Sequence, residues 1–211
     1  MNPGEKDHIS NREQIEWCDI WITKADSSNC KRVLLIGDSI VRSYFSQVNT
    51  ILTDKFFCAR LATSRCVCDP TFKNELKLVL DEFEFDIIHL NNGLHGWAYD
   101  EDCYRQGVAD TIDFITHFTT STLIWANTTP VWRKDIPGQL DQKTKRVQER
   151  NRIAMQICSN HDIPVNDLYT LVFKCPQYFS KDGVHFNEDG QNILGEQVAR
   201  FILNKANMDK K

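Results

Sequence analysis

Short apolar runs of strand length alternate along this chain with longer segments in which apolar residues recur at helical spacing. The strand-like runs cover residues 32–36, 56–62, 86–91, 122–130 and 163–167. Strands that alternate with helices are typical of a parallel sheet covered by helices on both faces. The sequence therefore predicts an α/β fold, a three-layer α/β/α sandwich around a doubly wound, five-stranded parallel sheet of order 2-1-3-4-5.

The 211 residues fit one domain, and no internal repeat or Gly/Ser linker divides them. Residues 11–24 carry an apolar side that suits a leading helix. That side consists of Ile15, Trp17, Ile20 and Trp21. We therefore interpret residues 1–30 as an N-terminal helical extension and residues 31–211 as the single functional domain.

The overall charge limits the classes of partner. The net charge is −4, and no basic run offers a surface for a nucleic acid backbone. No stretch has the length of a transmembrane helix, and the polar N-terminus resembles no secretion signal. We expect a cytoplasmic protein that does not bind nucleic acid and does not span a membrane, while the oligomeric state stays open.

The eight cysteines are scattered along the chain rather than arranged as a disulfide framework. The pair Cys66 and Cys68 has no second pair at zinc spacing to complete four ligands. We expect free thiols, no metal site and no cofactor.

Three polar segments stand where ligands bind in an open parallel sheet, at the carboxyl side of strands or before the last helix. They are Gly37-Asp38-Ser39, NNGLHGW at 91–97 and KDGVHFN at 181–187. Asp182 and His185 are spaced so that the carboxylate can orient the imidazole. Ser39 is either a nucleophile or, with Asp38, a cap of the following helix.

The middle segment offers hydrogen-bond donors opposite Ser39, because the strands at 32–36 and 86–91 are neighbours in the predicted sheet. The side chain of Asn92 or His95, together with backbone N–H groups of Ser39 and of the turn around Gly93, can donate to an oxyanion.

In this chain order the three segments resemble the SGNH (GDSL) hydrolase superfamily, over about residues 31–205. The resemblance implies that Ser39 is the nucleophile, His185 the general base and acid, and Asp182 the group that orients His185. It also implies an oxyanion hole made by the serine N–H, a glycine N–H after the second strand and an asparagine in a Gly-x-Asn-Asp motif.

Two parts of this chain depart from that pattern. The second strand is followed by ATSRCVCDP without a glycine, so a backbone N–H near residues 65–68, such as that of Cys68, has to serve. Gly93-Leu94-His95-Gly96 stands in place of Gly-x-Asn-Asp, which assigns the oxyanion side chain either to His95 or, after a one-residue change of register, to Asn92.

The expected substrate is a small acyl ester, such as an acetyl ester, of a carbohydrate or similar polar alcohol. Trp132 follows the fourth strand, where its ring either stacks on a sugar at the mouth of the site or covers the edge of the core. The alternative function is a non-catalytic module that binds a sugar or an anion on the same fold.

Overall fold

The computed structural model describes residues 11–208. The strands are β1 (Cys18–Ile22), β2 (Arg32–Gly37), β3 (Phe57–Thr63), β4 (Ile87–Leu90), β5 (Thr122–Ala126) and β6 (Val165–Asn166). The helices are α1 (Ser39–Leu52), α2 (Pro70–Glu82), α3 (Glu101–Phe118), α4 (Lys143–Asn160), α5 (Leu168–Val172) and α6 (Glu188–Met208), with a 3₁₀ turn at Pro176–Tyr178.

The strands form one sheet in the order β1-β3-β2-β4-β5-β6. The pairs from β3 through β6 are parallel, and β1 joins β3 antiparallel. The predicted α/β class and the predicted order of the five parallel strands are confirmed. The sixth strand, β1, is an addition at one edge.

The predicted helix at 11–24 is wrong. Residues Cys18 to Ile22 pair instead with Thr63 to Ala59 of β3. The spacing of Ile and Trp in this segment suits a helix, but β1 is an edge strand whose Trp21 stays 58% exposed, so its burial pattern gives no clear alternation. The first ten residues of the predicted helical extension lie outside the described part of the chain.

The core has two halves, one on each face of the sheet. Along β2, Val33 and Leu35 pack with α1 and α6, while Leu34 and Ile36 pack with α2, α3 and α4. All four side chains are fully buried, as expected for a central strand of a covered parallel sheet. Within residues 11–208 no helix is both long and apolar enough to cross a membrane.

Candidate active site

Ser39 is the first residue of α1, directly after the central strand β2. The cap of this helix is Asp38, whose Oδ1 accepts a hydrogen bond from the N–H of Ile40 at 2.8 Å. Because Asp38 fills the capping position, the Ser39 hydroxyl is left for another contact. Its own N–H belongs to the first turn, where helical N–H groups have no partner within the helix.

The Ser39 hydroxyl contacts His185, although 146 residues separate the two. The distance from Oγ of Ser39 to Nε2 of His185 is 2.9 Å, and Nδ1 of His185 lies 2.7 Å from Oδ2 of Asp182. An ionised carboxylate only accepts hydrogen bonds, so Nδ1 carries the proton and Nε2 can accept the proton of Ser39. The three residues expected to act together are therefore brought together.

The Asp182 carboxylate is held by its own loop. Its Oδ1 accepts hydrogen bonds from the N–H groups of Val184 and His185, each at 2.9 Å. Partial burial raises the pKa of Asp182, but the hydrogen bonds from the His185 ring and from these two N–H groups outweigh it and hold the pKa below its usual value. Asp182 thus stays ionised beside the imidazole.

Asp38 is in a different environment. Its carboxyl group is buried, and Oδ2 has no hydrogen-bond partner among residues 11–208. Burial raises the pKa of Asp38, against the opposing charges of His95 and His185 and the N–H of Ile40. Asp38 therefore caps the N-terminus of α1. Its carboxyl group is close enough to His95 and His185 for their charges to affect its pKa.

The backbone of Trp132 lies next to the loop that carries Asp182 and His185. Its N–H donates to the carbonyl of Gly183 at 2.8 Å. The indole ring packs edge-on against Phe179 at 6.1 Å between centroids. The structure therefore brings the backbone of Trp132 to the loop that carries Asp182 and His185, with its ring against Phe179. Arg133 pairs with the exposed Asp135 nearby.

Asn92 is used as a brace between two loops. Its Nδ2 donates to the carbonyl of Arg65 at 2.9 Å, and its Oδ1 accepts from the N–H of Val67 at 3.2 Å. These contacts join the loop after β4 to the loop after β3. Because both polar atoms of the Asn92 side chain are used in these contacts, His95 is the better candidate of the two side chains proposed to bind the oxyanion.

The loop after β3 contributes backbone donors, most of which are occupied. The N–H groups of Ser64, Arg65, Val67, Cys68 and Asp69 all have acceptors within the described chain. Within residues 11–208 the N–H of Cys66 has none. Cys66 is thus the candidate donor in place of the glycine of the family pattern.

The expectation for Cys68 needs revision. Its N–H points to Sγ of Cys66 at 3.4 Å. It also helps to line a cavity of about 670 Å³ between α2 and α3, away from Ser39 and His185. All eight cysteines are free thiols. Among the described residues no group of three His, Cys, Asp or Glu side chains is arranged to hold a metal ion.

Gly93 and Gly96 allow close approaches on either side of His95. A Cβ on Gly93 would lie 2.2 Å from Oγ1 of Thr128, and a Cβ on Gly96 would lie 2.4 Å from Cβ of Cys66. The absence of a side chain on Gly93 therefore lets Thr128 pack against the loop after β4. The absence of one on Gly96 lets this loop contact the loop after β3.

His95 has a partner that the sequence did not reveal. Its Nδ1 lies 3.0 Å from each carboxylate oxygen of Glu13, in the segment before β1. The two residues are 82 positions apart, and nothing local in the sequence relates them.

A buried arginine supports the same loop from below. Arg150 of α4 is fully buried and donates to the carbonyls of Gly93, His95 and Gly96 at 2.7 to 3.0 Å. Its guanidinium also lies against the ring of Trp97 at 4.8 Å. Sequence reasoning missed Arg150 as well, because a charged residue on an amphipathic helix is ordinarily assigned to solvent.

Comparison of the sequence with family models and with curated proteins gives no match. Comparison of the fold with solved structures gives many. A GDSL-like lipase from Bacteroides thetaiotaomicron is similar with a TM-score of 0.67 at 17% identity, over 83% of this chain and 89% of that one. A putative acylhydrolase from Bacteroides fragilis is similar with a TM-score of 0.68 at 17% identity, over 85% and 89%.

An acetyl xylan esterase, AlAXEase, is similar with a TM-score of 0.63 at 13% identity, over 79% of this chain and 97% of that one. Together with a putative SGNH hydrolase from Slackia heliotrinireducens, these structures identify the architecture. The chain has the fold of the SGNH (GDSL) hydrolases, and at the level of fold the resemblance drawn from its motifs is confirmed.

Proposed function

We propose that the protein is a serine esterase that hydrolyses small acyl esters through an acyl-serine intermediate. The observation that carries this proposal is the continuous hydrogen-bonded chain from Asp182 through His185 to Ser39, with spacings of 2.7 and 2.9 Å. A nucleophile within reach of a base, which is itself oriented by a third group, is the arrangement that activates a hydroxyl.

In this mechanism His185 takes the proton of Ser39 as Oγ attacks the ester carbonyl. The tetrahedral intermediate that results carries a negative oxygen. His185 then gives the proton to the leaving alkoxide, and the acyl group remains on Ser39. Water, deprotonated by His185, repeats the sequence and releases the acid. Asp182 stays ionised and stabilises the imidazolium throughout.

Three donors are proposed for the negative oxygen. They are the N–H of Ser39 at the start of α1, the N–H of Cys66 after β3 and the side chain of His95 after β4. All three stand at the carboxyl edge of neighbouring strands. Removal of a single donor from such a set typically lowers kcat by about 10²–10³.

A small acyl group on a polar, bulky alcohol is the substrate class that we propose. The side chains of His185 and Asp182 are 46% and 50% exposed, so the catalytic pair lies at an open surface that a large alcohol can approach. The similar structures include an acetyl xylan esterase, which supports an acetylated carbohydrate as the first substrate to test.

The alternative is a binding module on the same fold that takes up a sugar or an anion without catalysis. A sugar-binding surface has no need of a base in contact with a serine hydroxyl. The Ser39–His185 contact therefore favours hydrolysis.

Hydrolysis of p-nitrophenyl acetate, p-nitrophenyl octanoate and an acetylated xylo-oligosaccharide tests the proposal. The matched pair of variants is Ser39→Ala and Ser43→Ala, because Ser43 lies one turn further along α1 and donates only to the carbonyl of Ile40. We expect Ser39→Ala to lose acetate hydrolysis and Ser43→Ala to keep it. Equal activity of the two variants would rule out Ser39 as the nucleophile.

A further inference from the structure

The segment before β1 crosses the edge of the sheet on which the candidate site lies. Residues 11–17, here called the N-terminal strap, are fixed to the loop after β3. The N–H of Trp17 donates to Oγ of Ser64 at 2.9 Å, and Ser64 donates back through its N–H to the carbonyl of Trp17 at 3.0 Å. Arg65 also pairs with Glu16 of the strap at 3.1 Å. The strap is therefore held beside the candidate oxyanion hole.

Glu13 of the strap binds His95 directly. Both of its carboxylate oxygens lie 3.0 Å from Nδ1 of the ring, and Oε1 also accepts the N–H of Gly96 at 3.2 Å. The side chains of Glu13 and His95 are 33% and 19% exposed, so water only partly screens the pair. Since a carboxylate only accepts, Nδ1 of His95 has to carry a proton.

This contact determines what the other ring nitrogen can do. In a neutral ring with the proton on Nδ1, Nε2 carries a lone pair and cannot donate to an oxyanion. Only the imidazolium form has a proton on both nitrogens. Nε2 of His95 has no hydrogen-bond partner among residues 11–208, so it is free for a substrate atom.

The charged groups around His95 bear on whether the ring is protonated. Glu13 faces it from the strap, and the carboxyl of Asp38 faces it from the turn before α1 and responds to its charge. Both acids, when ionised, favour the imidazolium.

Two arginines also lie in this neighbourhood. Arg150 binds the backbone carbonyl of His95 from α4, and its charge is countered by Glu101 at 3.4 Å. Arg42 of α1 lies over the ring of Trp17 at 5.4 Å, and Trp17 in turn meets the His95 ring edge-on. The group in direct hydrogen-bond contact with the ring nitrogens is thus the negative one, Glu13.

We propose that Glu13 is a positioning residue that holds His95 as an imidazolium, so that Nε2–H of His95 donates to the oxyanion formed at Ser39. This inference rests on the proposed esterase function. It gives the N-terminal strap a part in the chemistry, because the histidine replaces the asparagine of the family pattern only while the strap is in place. An asparagine donates at any pH, whereas a histidine oriented in this way donates only when charged.

The consequence is a characteristic dependence of activity on pH. His185 has to be neutral to accept the Ser39 proton, so kcat/KM rises with pH on the acid side. His95 has to be charged, so kcat/KM falls again when His95 loses its proton. The profile is a bell whose falling limb belongs to His95.

The test compares kcat/KM and kcat between pH 5 and pH 9, on p-nitrophenyl acetate, for the wild type, Glu13→Gln, Glu16→Gln and His95→Asn. In Glu13→Gln the new side-chain amide can still accept from Nδ1 of His95 through its oxygen, but it carries no charge. Glu16→Gln is the matched control, since Glu16 lies in the same strap and contacts Ser64 and Arg65 instead of His95.

We expect Glu13→Gln to move the falling limb to lower pH and, on the alkaline side of the wild-type optimum, to lower kcat by about 10- to 100-fold, with KM little changed. Glu16→Gln should leave the limb in place, and His95→Asn should remove it. A falling limb in Glu13→Gln that coincides with that of the wild type overturns this inference alone. Absence of Ser39-dependent hydrolysis in the wild type overturns the proposed function, and this inference with it.

Discussion

The backbone N–H of Trp132 donates to the carbonyl of Gly183 at 2.8 Å, and the two segments are so close there that a Cβ on Gly183 would lie 2.1 Å from the carbonyl oxygen of Trp132. Gly183 has a φ of +73°, a conformation that L side chains rarely adopt. It stands between Asp182 and His185. The loop after β5 therefore fixes the position of Asp182 and His185.

Gly183→Ala should disturb this junction, and Gly138→Ala is its matched control. Gly138 has a similar φ of +77°, but nothing lies within 4 Å of its added Cβ. Both variants bear the left-handed strain of about 1–2 kcal/mol. Only Gly183→Ala must also move Trp132, and we expect it to lower kcat/KM about 100-fold. Thermal unfolding measures the loss of stability in each variant, and ester hydrolysis measures kcat/KM. Equal activities of the two variants would contradict the role assigned to the contact between Gly183 and Trp132.

Asp182→Asn should remove most of the activity while leaving the fold intact. The neutral amide no longer stabilises the imidazolium, and the usual cost of such a change is about 10⁴ in kcat. Because the pKa of Asp182 is lowered, its carboxylate stays ionised well into the acid range and adds no second proton to the acid limb of kcat/KM. Asp189→Asn, in the first turn of α6, is the control. An acid limb with a slope of two would contradict this account.

Asp38→Asn should raise stability at neutral pH. Burial raises the pKa of Asp38, so the folded state binds its proton more tightly than the unfolded chain does. The penalty is absent below about pH 3.9 and grows as pH rises through the raised pKa. Asparagine keeps an oxygen for the cap of α1. The melting temperature of the variant should therefore exceed that of the wild type at pH 7 and lose this advantage at pH 3.

Asp69→Asn is the matched control for this stability test. Asp69 caps α2 in the same way, through the N–H of Thr71, but its second oxygen pairs with Arg65 at 3.0 Å. Asparagine there loses a charged partner, so this variant should be less stable than the wild type at pH 7. Destabilisation of both variants to the same extent would show that Asp38 has no ionisation penalty.

Arg150→Lys should loosen the loop that carries His95. A lysine cannot reproduce the planar set of donors that reaches the carbonyls of Gly93, His95 and Gly96. We expect a loss of about 3 kcal/mol in the free energy of unfolding, measured by urea denaturation, together with reduced kcat. Arg146→Lys, one turn earlier and partly exposed, should cost about 1 kcal/mol. Equal losses of unfolding free energy in the two variants would contradict the role assigned to the buried Arg150.

Much of the fold could be predicted because burial leaves a local pattern. The fully buried run from Val33 to Ile36 reads directly as a covered parallel strand. Asn187 precedes the last helix, and its Oδ1 accepts the N–H of Gly190 at 3.0 Å, the capping contact that an asparagine in this position favours. The edge strand β1 was missed because its partner, β3, lies far along the chain and its outward Trp21 mimics a helical stripe.

Only those residues of the candidate site that stand in a short sequence motif could be predicted. Ser39, Asp182 and His185 each stand in a short polar segment, and the chain order relates them. The donors proposed for the oxyanion could not be found in this way, because they depend on the path of the loops. A free N–H at Cys66 instead of Cys68, and the contact of Glu13 with His95, arise from tertiary packing within residues 11–208 that no local pattern encodes.

Covalent labelling of Ser39 with a fluorophosphonate is the most direct measurement of the central claim. The wild type and His185→Ala are incubated with the reagent at neutral pH, and the peptide that contains Ser39 is weighed by mass spectrometry. The proposed mechanism predicts one adduct on Ser39 in the wild type and about 10³-fold slower labelling in His185→Ala. An unlabelled Ser39 in the folded wild type, or equal labelling rates in the two proteins, would contradict it.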